Sequence, residues 1–219
     1  QMSFKYNEFK TQEEIDSFFG KICEQIRDVR NLDEYIIDWY KKDGIKIYTR
    51  NQPNSQLKSF KGEITFKADV HKVNLIVGDA RNIEWWDKDI IEKRVLAFEE
   101  NKMIRYYLVY DVPWPFSKRD LALEAIISID PRTGDRIVAS KPVLNLVPEK
   151  DGLVRIKNYW QKWIVHPMDN GFVHVTLEGF VDPGGNIPWW LYNTVITETP
   201  MRVMKGMRDR VLSPVAAKE

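Results

Sequence analysis

Three histidines, His71, His166 and His174, and one cysteine, Cys23, are the side chains best suited to metal or nucleophilic chemistry, and they are scattered along the 219 residues. No His-x-x-x-His or Glu-x-x-His spacing links them, so no metal site is expected. A lone cysteine excludes an internal disulfide framework. There is no Ser-His-Asp order, nucleophile elbow, or phosphate-cradling glycine loop, so hydrolase and transferase chemistry has no carrier here and no cofactor is expected. The polar groups left for a role are Arg105, Tyr107 and Asp111, two and then four residues apart along one apolar run, and the pair Arg119-Asp120 behind a turn. Arg105 has the chemistry to hold a carboxylate or phosphate, or to pair with Asp111 or Glu124. Arg119 and Asp120 read as a strand-end ion pair or turn anchor. Aromatic residues make up 12% of the chain, with eight Trp. They supply either a Trp-rich core or an internal pocket lined with rings.

The elements that must position these residues follow from periodicity. Turn formers at Asp182-Pro183-Gly184-Gly185 stop a strand, and Asn186 with Pro188 caps and opens a helix near Ile187. Along it Trp189, Tyr192, Val195, Ile196, Thr199, Val203, Met204 and Met207 recur at three- and four-residue spacing, which predicts one long helix to about Val211 with a broad apolar face. A first helix is expected over residues 12–29, capped by Thr11, with Ile15, Phe18, Phe19, Ile22 and Ile26 on one side. Strand patterns occupy residues 35–40, 45–50 and 57–67, with a hairpin signal at Asp43-Gly44. After a short helix over 70–79 come strands at 90–98, 103–112, 121–129, 136–142, 154–165 and 172–181. Tight turns between consecutive strands predict an antiparallel meander, whose curl needs a filler that only the last helix is long enough to supply.

Hydrophobic residues at 43% are enough for one sizeable core, and one domain is expected, with residues 1–34 as an N-terminal helix packed on a body at 35–219. A net charge of +1 gives no field to draw nucleic acid or an anionic membrane. No run of about 18 apolar residues is present, so no membrane-spanning helix is expected. Residues 1–20 lack a hydrophobic signal core; with Met2 as the native start, a cytoplasmic protein is expected. A processed Gln1 would leave a periplasmic or secreted protein open.

Four segments then resemble a known family: Asp43 to Arg50, Val112 to Asp120, Pro148 to Arg155, and Asp182 to Leu191. In this order they are similar to START domains, the steroidogenic-acute-regulatory-protein-related lipid-transfer modules, and most to their small bacterial members. The resemblance implies an α+β helix-grip fold (START/Bet v 1-like), a curved antiparallel sheet around a long C-terminal helix. It also implies an internal tunnel for a hydrophobic small molecule such as a lipid, fatty acid, sterol-like compound or isoprenoid, with transient membrane contact and a monomeric chain.

Strand alternation places Arg105, Tyr107 and Val109 on one face of their strand and Ile104, Tyr106, Leu108 and Tyr110 on the other, and leaves open which is inner. The resemblance, matched through Arg119-Asp120, implies that Tyr107, Val109, Leu123, Ala125 and Ile127 point inward, and Arg105 with them. It puts the acid and arginine of sterol-carrying relatives at Tyr107 and Ala125, which cannot form that ion pair. The expected lining is Trp86, Arg105, Tyr107, Val109, Leu123, Ala125, Trp189, Tyr192, Val195, Ile196, Thr199 and Val203. Trp114, Gly184 and Gly185 are the expected gate and hinge. A cyclase-like enzyme of the same fold, with Tyr107, Arg105 and Asp111 as acid–base groups, and a partner-binding module using the Trp-Pro turn at 112–116 are the rival readings.

Overall fold

A computed structural model describes residues 11–17, 40–42, 44–79, 81, 89–113 and 115–213. Ten strands form one sheet: β1 (Tyr40–Lys42), β2 (Ile45–Asn51), β3 (Lys58–Lys67), β4 (Ile90–Glu99), β5 (Met103–Tyr110), β6 (Lys118–Ile129), β7 (Arg136–Pro142), β8 (Leu153–Arg155), β9 (Tyr159–Pro167) and β10 (Phe172–Val181). Helix α1 (Val70–Ile76) follows β3, and α2 (Trp189–Val195) and α3 (Glu198–Leu212) close the described chain.

The spatial order is β1-β2-β3-β10-β9-β7-β6-β5-β4, antiparallel throughout. Two meanders, β1 to β3 and β4 to β10, are joined by pairing Phe172–Gly179 of β10 with Phe60–Lys67 of β3. The expected run at 154–165 divides in two. Its first part is β8, which leaves the meander and pairs in parallel with Lys118–Asp120 of β6, and its second part is β9. The edge strand β4 carries two register shifts, which bend it.

The expected single C-terminal helix is a pair. Helix α2 stops at Val195, Ile196 and Thr197 form a turn, and α3 starts at Glu198. Pro200 is the reason: it has no N–H to give the Ile196 carbonyl, and its ring crowds that carbonyl in a continuous helix. Beyond the break α3 buries Pro200, Met201, Val203, Met204, Met207 and Val211 against the sheet. At Gly62 of β3 the helix packs so closely that an added Cβ would clash with Met204 Sδ. The sheet therefore curls around a bent helix pair, the expected grip arrangement with a kinked filler.

Helix α1 is shorter than expected because Gly78, at a φ of +88°, turns the chain away. At the N-terminus residues 12–17 are helical, and Thr11 and Glu14 cap each other's backbone: Glu14 N–H donates to Thr11 Oγ1 at 3.2 Å and Thr11 N–H to Glu14 Oε2 at 3.3 Å. Ile15 is buried, and Gln12 and Asp16 bond to the end of β7 and the residues after it. The remaining expected positions of that helix, Phe18, Phe19, Ile22, Cys23 and Ile26, lie outside the described residues.

Candidate functional site

Between the concave sheet and the helix pair lies a cavity of about 260 Å³. From β5 its wall takes Tyr106, Leu108 and Tyr110, and from β6 Arg119 and Leu121. Register explains the set: Tyr106 stands opposite Leu123 and Leu108 opposite Leu121, so alternation turns these side chains together toward the helices. Phe60 of β3, Tyr159 and Gln161 of β9, and Ile187, Tyr192, Val195, Ile196, Thr199, Pro200 and Val203 of the helical end complete much of the enclosure. Asp89 and Asp111 stand at the wall; Arg202 holds Asp89 at 3.1 Å, and Lys118 holds Asp111 at 3.5 Å.

Burial pushes the Tyr106 phenol up to about 12, although its bond with Ser140 works the other way. Tyr159 is raised for the same reason. Both rings stay hydroxyls at neutral pH, uncharged polar points in a mostly apolar wall.

Arg119 is the charged group built most deeply into this wall, with 3% of its surface exposed. Its Nε donates to the Pro183 carbonyl at 3.2 Å, Nη2 to the Gly184 carbonyl at 3.1 Å, and Nη1 to the Ser117 carbonyl. Burial lowers its pKa. The guanidinium thus fastens the start of β6 to the turn that leads into α2. Asp182 finishes that turn by accepting the Gly184 N–H at 2.9 Å. Gly184 and Gly185 have φ of +61° and +63°, and an added Cβ at Gly185 would stand 3.3 Å from Arg119 Nη2.

The neighbouring Asp120 points to the other side of the sheet. There Arg155 grips it with Nε to Oδ1 and Nη2 to Oδ2, both at 2.8 Å, and Tyr107 donates its hydroxyl to Oδ2 at 2.9 Å. Burial first, and then the Asp120 bond, push the Tyr107 phenol up to about 12. Tyr107, Val109, Ala122 and Val147 form a small second core under the chain between β7 and β8. Arg94 lies 4.6 Å over the Tyr107 ring.

The expected lining therefore divides. Tyr192, Val195, Ile196, Thr199 and Val203 stand together at the cavity. Leu123 and Ala125 share the inner face but belong to the packed core beyond the cavity wall. Arg105, Tyr107 and Val109 are corrected: they occupy the outer face, where Arg105 Nε donates to Glu124 Oε2 at 2.7 Å, and their neighbours Tyr106, Leu108 and Tyr110 point inward. On β5 the side chain that faces the cavity at this point is Tyr106, the neighbour of the Tyr107 that the resemblance implies. Trp189 is also corrected: it is 47% exposed and outside the cavity wall. Trp86 and Trp114 lie outside the described residues. The wall residues missing from the expectation include Phe60, Tyr106, Leu108, Arg119, Leu121 and Tyr159. Arg119 had a signal, since it stands two residues before the inward Leu121 on the same strand.

Comparison with known proteins decides the family. The START domain profile matches residues 38–216, most of the chain. This chain belongs to the START domain family. A STAR-related lipid transfer protein fragment from Xanthomonas axonopodis is 31% identical; the likeness covers 83% of this chain and 100% of that one, with a TM-score of 0.74. An uncharacterized protein of Pseudomonas aeruginosa, PA1579, is 28% identical over 170 residues, 77% of this chain and 82% of its own length. The phosphatidylcholine transfer protein of Rattus norvegicus is 30% identical over 111 residues, and that match spans only about half of each protein, 49% and 51%. START domains are known for lipid binding and transfer, and the antiparallel sheet with its C-terminal helices is the START architecture. Among the described residues no helix is long and apolar enough to cross a membrane.

Proposed function

We propose that this START domain binds one hydrophobic or amphipathic small molecule in the cavity between sheet and helices, and carries it between membranes. The observation that supports it most is the cavity itself, apolar on most sides and covered by the helix pair. Transfer of apolar surface from water gains roughly 25 cal/mol per Å², so a modest hydrocarbon tail is enough for useful affinity without any chemistry. Entry requires the turn at 182–188 or the loop at 112–118 to swing aside, with Gly184 and Gly185 as the hinge.

The cyclase-like alternative is weakened by where its acid–base groups sit. Tyr107 and Arg105 face away from the cavity, and Asp111 is engaged by Lys118. The reading is tested by moving a fluorescent acyl lipid from donor to acceptor vesicles. Catalytic amounts of the protein are expected to speed transfer, and Ile196→Trp, which puts an indole into the cavity, is expected to remove the effect while leaving the fold intact by circular dichroism. Transfer that survives in the variant would overturn the cavity as the carrier site.

A further inference from the structure

Arg119 has an unusual charge balance for a residue buried this deeply. No carboxylate oxygen of a described residue lies within 4.0 Å of its nitrogens, and its three bonds all go to backbone carbonyls. Asp120, next along the strand, is spent on Arg155 and Tyr107 across the sheet. Asp89 and Asp111, the carboxylates in the cavity wall, are held by Arg202 and Lys118. A guanidinium has five N–H donors, so two remain after the three carbonyls, one on each Nη. Paired N–H groups of that kind match the two oxygens of a carboxylate or phosphate. A buried cation with no counter-charge is costly, and an anion brought in by a ligand relieves that cost.

Size adds a second limit. A cavity of about 260 Å³ falls just under the roughly 300–1,000 Å³ of sites that enclose drug-sized ligands. It has room for one short tail, and two long acyl chains exceed it.

Resting on the carrier reading above, we propose that the cavity selects single-tailed anionic amphiphiles, with Arg119 as the residue that binds their carboxylate or phosphate. The tail then lies against Leu108, Leu121, Ile196 and Val203. Because the same guanidinium secures the Pro183 and Gly184 carbonyls, a bound oxyanion also sits beside the fastening of the entry turn.

The test is a calorimetric comparison of decanoate, decyl phosphate, 1-decanol, inorganic phosphate and phosphatidylcholine vesicles on the intact protein. Decanoate and decyl phosphate are expected to bind roughly tenfold or more tighter than 1-decanol, the range of a hydrogen bond to a charged partner. Inorganic phosphate at millimolar levels is expected not to displace them. In Arg119→Gln the acid-to-alcohol ratio is expected to fall to about one, and in Arg119→Lys to an intermediate value; a purely structural role would weaken all the ligands together and leave the ratio unchanged. Equal binding of decanoate and 1-decanol by the wild-type protein overturns the proposal without needing any variant, as does an unchanged ratio in Arg119→Gln. Displacement by inorganic phosphate makes the site one for the free anion and overturns the amphiphile. Phosphatidylcholine binding tighter than decanoate overturns the single tail. Each of these leaves the carrier reading standing, whereas binding of none of the tailed ligands removes that reading itself.

Discussion

Asp120 is held by Arg155 and Tyr107 on the outer face of the sheet, where the Arg155 and Asp120 side chains are 5% and 1% exposed. Removing the carboxylate strands a buried cation. Asp120→Ala is therefore expected to cost about 3–5 kcal/mol in denaturant unfolding, and an effect below 1 kcal/mol would contradict the network. Tyr107→Phe deletes one bond of that network and is expected to leave ligand affinity unchanged in titration, because the ring faces away from the cavity. The raised phenols set the alkaline limit. Tyr106 and Tyr107 keep their protons to about 12 in the folded chain, whereas an unfolded tyrosine releases its own near 10. Their contribution to stability is thus complete below pH 10 and is lost as pH rises from there toward 12, by up to about 1.4 kcal/mol per pH unit for each ring. Urea unfolding of Tyr106→Phe between pH 9 and 11.5 is expected to show a shallower fall than wild type; identical slopes would contradict the buried hydroxyl. At this scale the sequence was half legible. β5 reads Met103 to Tyr110 with buried residues on both faces, because Tyr107 and Val109 of its outer face are covered by Val147 and its neighbours. Alternation cannot choose a face when both are apolar.

At the scale of elements, hairpins and turns were legible because Asp, Asn and Gly carry local backbone instructions. The break between α2 and α3 was not read, although Pro200 is its cause, because the apolar spacing runs on through the kink and suggests one helix. The departure of β8 from the meander was hidden because Leu153, Val154 and Arg155 run directly into the next strand pattern, while their partner is the distant β6. Gly179 shows how closely the elements meet: an added Cβ would lie 2.6 Å from Phe60 Cζ and 3.1 Å from the Trp160 carbonyl. Gly179→Ala is expected to displace the Phe60 ring, cost about 1–3 kcal/mol and alter ligand uptake, since Phe60 is part of the cavity wall. Wild-type stability with unchanged uptake would show that the ring moves freely. Gly184 and Gly185 occupy the left-handed region in the closed turn, where alanine is disfavoured by roughly 1–2 kcal/mol each. The double alanine variant is expected to loosen the turn and speed ligand exchange in stopped-flow fluorescence; an unchanged exchange rate would place the gate elsewhere.

Over the whole molecule, the curved sheet, the C-terminal filler and the family were legible because they depend on element order and on turn motifs. The residues at the cavity depended on the strand register and on the bend at Ile196, which only the folded chain supplies. What the folded chain adds is a mostly apolar space under the helix pair with one buried, carbonyl-bound arginine at its wall. Anything that fills it binds the native state alone and stabilises it by mass action. The most direct measurement is native mass spectrometry of the wild-type protein and Ile196→Trp, each followed by organic extraction after purification from the producing cells. The account predicts one small amphiphile per wild-type chain and none on the variant. Equal loading of both proteins, or a wild-type chain that stays empty even after incubation with short-chain amphiphiles, would contradict it.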